Sequence, residues 1–353
     1  MQKPFLPALH AMRGVAAMLV VVFHAWHMGL SSVVHAPFVI KGYLWVDFFF
    51  LLSGFIIAYH YEARFNKGLR RRDVVSFYIV RAMRIFPLHI VVLGLWIAIE
   101  AVQYLREGRG FDEGRQWTDF VPNLLLMQSW LFHNTSWNPP SWSISCEWLF
   151  YLLFPLLAVP FYRRSLAFSM VVIGMMAGTL WLAAAYFSQL PLDGAEFNLG
   201  ASVNGGIFRA LPEFITGILI CNIAAEHASW LKRYGRRIFW AAALFTGSMM
   251  VIYASDFLIV AGFALMVFGG AGIQGNPTKI TGFLGDISYS VYMLHSVVIA
   301  VLAHLFPVAG LSGSEAFLLA AILFLMVILC SSVTYYLIER PCNQWAKKRY
   351  RHS

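Results

Sequence analysis

Two side chains in the first long apolar run are chemically out of place there. Arg13 and His24 are eleven positions apart. At about 100° per residue this is three turns plus roughly 20°, so a helix puts them on one face, ~16 Å apart. An imidazole can take a proton from a hydroxyl near neutral pH, and a guanidinium can hold a phosphate. Ser143 and Glu147 form a second constellation, four apart on one face of a run that opens Asn138-Pro-Pro-Ser-Trp. Pro140 suits a helix start and Ser141 a cap. A carboxylate that meets an imidazole orients it for general base work, so Glu147 is expected beside His24. Asp47, in Trp45-Val-Asp-Phe-Phe-Phe-Leu-Leu-Ser53-Gly54, either caps its own helix or joins the His24 cluster. Arg81 and Arg84, three apart, make a compact site for phosphates.

Each candidate also has a plainer role. Arg13 could snorkel to headgroups and His24 could pack as a polar helix residue. Glu147, flanked by Trp142 and Trp148, could be an interfacial anchor, and the Arg81 and Arg84 pair could bind lipid phosphates. Tyr289, Tyr292 and His295 share a face of a later run, where core hydrogen bonding and chemistry are both open.

The elements that must position these residues follow from composition. The 353 residues are 59% apolar and 12% charged, against about 45–50% and about 25% in soluble domains. That excludes an ordinary water-soluble enzyme and predicts an all-α, polytopic membrane bundle. Twelve Trp and fifteen Tyr suit two interfacial belts. Cys146, Cys221, Cys330 and Cys342 have no paired spacing, so no metal site and no disulfide framework is expected. Ten apolar stretches are long enough to cross: 12–30, 43–61, 86–105, 141–161, 166–187, 207–225, 238–253, 256–273, 283–304 and 315–338. The run 238–273 is too long for one crossing and turns at Ala254-Ser255-Asp256. The stretch 118–132, with Pro122 and Asn123 inside, reads as interfacial or re-entrant.

Ten crossings put both termini on one side. Lys3, the cluster from Arg64 to Arg84, Arg163, Arg164, the group Lys232 to Arg237, Lys279 and the basic residues from Arg340 to Arg351 then all share a side. The positive-inside rule makes that side cytoplasmic. The formal charge of +9 therefore reports topology, not nucleic-acid binding. The first run lacks a cleavage site and is expected to be a retained helix. The expected organisation is one membrane domain, 1–341, with a basic cytoplasmic tail, 342–353.

The ordered segments LHAMRGVAAMLVVVFH (9–24), WVDFFFLLSGFII (45–57), RAMRIFP (81–87), SWSISCEWLFYLLF (141–154), GDISYSVYMLH (285–295) and IERP (338–341) resemble the acyltransferase-3 family of integral membrane acyltransferases along essentially the whole chain. Two positions depart from its pattern: His10 stands where an acidic residue is usual, and Cys146 where a branched apolar one is. The resemblance implies transfer of an acyl group, usually acetyl, from cytoplasmic acetyl-CoA to a hydroxyl of an exported or cell-surface carbohydrate in the inner membrane, without an appended hydrolase-like domain. Arg13, Arg81 and Arg84 would bind the coenzyme A phosphates, and no metal is called for. His24 would act as general base or as a transient acyl carrier, with Glu147, Ser143 and Asp47 around it. A pantetheine arm is about as long as the ~16 Å between Arg13 and His24. The expected partners are a carbohydrate or glycolipid acceptor, the bilayer and polysaccharide biosynthesis machinery. A competing reading from the same buried residues is a transporter or flippase of lipid-linked saccharide.

Overall fold

The computed structural model describes residues 3–27, 37–65, 68–108, 115–130, 135–161, 164–187, 199, 205–306, 311 and 313–350. Among them there are helices and turns and no strand. The helices are α1 (Pro7–His27), α2 (Pro37–Ile40), α3 (Trp45–Phe65), α4 (Arg71–Glu107), α5 (Phe120–Leu124), α6 (Ser141–Phe161), α7 (Leu166–Phe187), α8 (Gly206–Glu226), α9 (Ala228–Val251), α10 (Asp256–Ala271), α11 (Lys279–Leu305), α12 (Gly313–Thr334) and α13 (Arg340–Tyr350). Ten of them have at least 16 residues and coincide with the ten apolar runs. Among the described residues seven helices are long and apolar enough to cross a membrane, while Ser141–Leu157 and Asp256–Ala271 are shorter apolar stretches. α9 carries Lys232, Arg233, Arg236 and Arg237 in its first turns. Only 11% of the apolar window of α7 and 28% of that of α12 is buried. Such wide apolar faces are stable against lipid rather than water.

Local sequence sets the boundaries. Thr278 Oγ1 accepts from Thr281 N at 3.2 Å and caps α11, and Gly108 ends α4 in the left-handed region at φ 64°. The chain turns between α9 and α10 through Tyr253, at φ 55°, as the Ala254-Ser255-Asp256 stretch suggested. The 118–132 segment does not cross among its described residues: α5 has five residues, and the following turn packs on α6. There Gln128 Nε2 donates to Ser141 Oγ at 3.1 Å and Trp130 Nε1 to the Ser145 carbonyl at 2.9 Å. Ser141 is thus the first residue of α6, with its hydroxyl bonded to the Asn138 carbonyl, 2.7 Å. The third span begins earlier than its apolar run, because Arg71–Glu107 is one helix of 37 residues that carries Pro87 inside it. Tyr59 Oη donates to the Pro4 carbonyl at 3.0 Å and Ser76 Oγ to that of Tyr350 at 2.5 Å. Both ends of the described chain therefore sit at the Arg64 to Arg81 end of the bundle.

Two pairs of parallel helices frame the interior. α1 runs beside α11, with His10 against Asp286 (3.2 Å), Arg13 against Ser288 (2.8 Å) and the His24 ring against His295 (4.8 Å between centroids). α3 runs beside α8 so closely that a methyl at Gly54 would collide with the Phe214 carbonyl, and one at Gly217 with the Leu51 carbonyl. Small residues permit such approach in membranes. Gly217→Ala is expected to cost roughly 1–3 kcal/mol through overpacking. Gly94→Ala, with open space at its Cβ, is expected to be neutral or slightly stabilising. Thermal aggregation midpoints of the two variants in detergent check this; equal midpoints would contradict the close α3 and α8 contact.

Candidate active site

A cavity of about 1110 Å³ opens at the Arg64 to Arg81 end and runs inward between α1, α3, α4, α6 and α11. Along α3 its wall extends from Arg64 to Phe49, about 22 Å at ~1.5 Å per residue. It is slightly larger than the ~300–1,000 Å³ of ordinary ligand pockets. Among the described residues the lining contains seven Lys and Arg side chains against three carboxylates, so this part of the path is cationic.

The charges are layered. Lys3, Arg64, Arg340 and Lys347 stand at the mouth. Arg13, Arg81 and Arg84 lie deeper, with buried Glu339, while Asp286 on the same wall is half exposed. Arg13 Nε donates to Ser288 Oγ at 2.8 Å and its Nη2 to the Gly285 carbonyl at 2.5 Å, which fixes its fork against α11. Arg81 lies over the rings of Tyr61 (4.9 Å) and Tyr151 (5.5 Å), a seat that holds a guanidinium without neutralising it. Arg84, one turn further in, lines the cavity with no hydrogen-bonded carboxylate among the described residues. The spacing of Arg81 and Arg84 thus brings both to one cavity, together with Arg13.

Glu339 was not singled out from sequence, although it belongs to the IERP segment. It is 2% exposed and accepts from Ser290 Oγ at 2.9 Å. Residues Tyr335–Glu339 have π-helical hydrogen bonding, and the wider turn carries Glu339 to the cavity wall.

At the inner end, Glu147 Oε1 accepts from Ser53 Oγ at 2.5 Å and, by a shorter bond, from Tyr151 Oη. Ser143 Oγ and Tyr292 Oη hydrogen-bond at 2.6 Å. Ser143, Glu147, Ser53 and Tyr292 all line the cavity. Beyond Tyr292 lies His295, buried, with Nδ1 donating to the Tyr292 carbonyl at 2.7 Å and Nε2 without a partner among the described residues. His24 packs on the far side of that ring, and its own Nδ1 bonds the Val20 carbonyl at 2.9 Å.

Two expected contacts are not made. Glu147 does not orient His24: its carboxylate is engaged by Ser53 and Tyr151, and the carbonyl one helical turn before His24 performs the orienting. A carbonyl can only accept, so this bond places the proton on Nδ1 and the lone pair on Nε2, the tautomer a general base needs. Asp47 neither caps its helix with its side chain nor joins His24. It is fully buried and forked by Arg209 of α8, Nε to Oδ1 at 2.8 Å and Nη2 to Oδ2 at 2.5 Å. The signal for this partner was present in α8, where Arg209 and Glu213 stand four apart in an apolar span. A neighbouring buried pair, Lys41 Nζ to Asp256 Oδ1 at 2.7 Å, is joined by Tyr43 Oη at 2.7 Å. The two departures from the family pattern have structural places. His10 bonds the Gly282 carbonyl, 3.1 Å, and Asp286, while Cys146 is buried.

A family model described as an acyltransferase domain matches residues 6–336. The chain belongs to the acyltransferase-3 family. Among its relatives is the acyltransferase MdmB of Streptomyces mycarofaciens, 28% identical over 98% of this chain and 93% of that protein. Another is the exopolysaccharide production protein ExoZ of Rhizobium meliloti, 26% identical over 86% of this chain and 90% of that one. The peptidoglycan O-acetyltransferase OatA of Listeria monocytogenes is 24% identical over 52% of this chain and 30% of its own length. No solved structure matches the chain. This acyltransferase-3 protein is a multi-pass membrane acyltransferase, which displaces the transport reading. Among its described residues no group of three or more His, Cys, Asp or Glu could hold a metal ion.

Proposed function

We propose that this acyltransferase takes an acetyl group from cytoplasmic acetyl-CoA and esterifies a hydroxyl of a carbohydrate or glycolipid acceptor at the outer face of the inner membrane, with both termini cytoplasmic. The observation that carries the reading is the cationic cavity, which extends from a basic mouth to Glu147, Ser143 and Tyr292, with His24 beyond it. The printed names of ExoZ and OatA, one an exopolysaccharide production protein and the other a peptidoglycan O-acetyltransferase, support a carbohydrate acceptor and a place beside polysaccharide biosynthesis machinery.

The donor is held by Arg13, Arg81 and Arg84 through its phosphates, with the thioester at the inner end. His24 Nε2 removes the acceptor hydroxyl proton as the oxygen attacks the thioester carbon. In the hydrogen-bonded pair of Ser143 and Tyr292, one hydroxyl donates to the other and the second donates to the oxyanion that develops. Collapse breaks the C–S bond, and the thiolate recovers the proton from His24. Glu147 holds Ser53 and Tyr151 at the end of the donor path and orders that wall. Asp47 serves the scaffold through Arg209.

Purified protein in nanodiscs, given radiolabelled acetyl-CoA and a glycan acceptor pool, is expected to release free thiol with label on the glycan. Folded protein that binds no coenzyme A and releases no thiol would defeat the donor assignment. Arg84→Ala is expected to raise the acetyl-CoA KM on the order of ten- to a hundredfold, the worth of one charge-assisted bond to phosphate, and to change acceptor KM far less. An unchanged donor KM would make Arg84 a lipid anchor.

A further inference from the structure

The C-terminal helix α13 sorts its residues by face. Arg340, Asn343, Gln344 and Lys347, at i, i+3, i+4 and i+7, line the cavity mouth, whereas Lys348 and Arg349 do not. α13 is held in place, with Ala346 buried and the Tyr350 carbonyl tied to Ser76 of α4. A tail that served only to attract lipid headgroups would have no need to set two cations and two amides along the rim of this cavity. The boundary expected at residue 341 falls inside this helix.

The cavity therefore has two cationic levels, Arg13, Arg81 and Arg84 within and Arg340 and Lys347 at the mouth. A donor with one anionic group would use one level. Coenzyme A carries two, a diphosphate next to the pantetheine arm and a phosphomonoester on the ribose 3′ oxygen. We propose that α13 is a nucleotide subsite, in which Lys347 and Arg340 hold the ribose 3′-phosphate while Asn343 and Gln344 offer amide contacts beside it. This rests on the acetyl-CoA reading above and adds to it the part of the donor that selects it.

The test compares acetyl-CoA with acetyl-3′-dephospho-CoA, the same thioester lacking that phosphate, as donors for wild type, Lys347→Gln, Arg340→Gln and the outward-facing control Lys348→Gln. Wild type and Lys348→Gln are expected to prefer acetyl-CoA at least about tenfold in kcat/KM. Lys347→Gln and Arg340→Gln are expected to narrow the preference to about two- to threefold through the acetyl-CoA KM alone, with the dephospho donor used as before. No discrimination by wild type, or full discrimination in both inward variants, would overturn the subsite and leave the acetyl-CoA assignment standing. Failure of wild type to bind either donor would overturn both. Retained kcat with the dephospho donor reports that the variants are folded.

Discussion

His24→Ala is expected to lower acyl transfer by about 10²–10⁴-fold, the usual worth of a general base, without reducing folded protein in the membrane. The imidazole is placed by backbone and by a ring: Nδ1 on the Val20 carbonyl and the ring face against His295. Removing it leaves no carboxylate stranded, because Glu147 bonds Ser53 and Tyr151 instead. This separates His24 from Glu147 in experiment. If Glu147 were the orienting partner, Glu147→Gln would alter the acid limb of the pH profile that His24 generates. With Val20 in that role, Glu147→Gln lowers the rate but leaves that limb where it is. Transfer at the wild-type rate by purified His24→Ala would end the assignment. The same variant separates two routes with wild-type protein as reference: protein-bound label that forms without acceptor in wild type and not in His24→Ala marks a carrier, and no protein-bound label under fast quench marks direct attack.

What could be read from the sequence, and what could not, follows from the kind of signal involved. Apolar run length and turn residues located ten helices and the break before Asp256, and set the 118–132 stretch apart from the long runs, because each is a local property. Helical periodicity grouped Arg81 with Arg84 and Ser143 with Glu147, and both pairs line one cavity. Periodicity names a face and is silent on what lies opposite it. It therefore could not give Ser53 and Tyr151 to Glu147, or Arg209 to Asp47. Depth alone suggested that Glu147 meets His24, yet the Ser143 to Tyr292 hydrogen bond and His295 lie between those levels. Arg340 and Lys347 were read as topological charge, since a basic C-terminus is what the positive-inside rule predicts whatever the side chains touch.

The largest effect on folding is expected at a residue with no catalytic role. Arg209→Met should lose about 3–5 kcal/mol, because it strands Asp47 in the interior without its cation. Asp47 is 0% exposed. Glu213, one turn along α8, is also buried, and no donor reaches its oxygens among the described residues. The substitution thus leaves two neighbouring buried carboxyls without the guanidinium that forks Asp47. Arg209 also bonds the Tyr43 carbonyl at 3.1 Å, so the loss reaches the segment of Lys41 and Tyr43, whose side chains bond Asp256 of α10. Folded yield and thermal midpoint in detergent should both fall. Adding Asp47→Leu to Arg209→Met removes the stranded charge and should restore most of the folded yield, since an apolar replacement of a buried pair is often tolerated. The double variant is also the sharpest check on Asp47. If the pair is scaffold, transfer returns with the fold. If the double variant folds and remains inactive, the Asp47 carboxylate belongs with His24 in the chemistry and its contact with Arg209 is secondary.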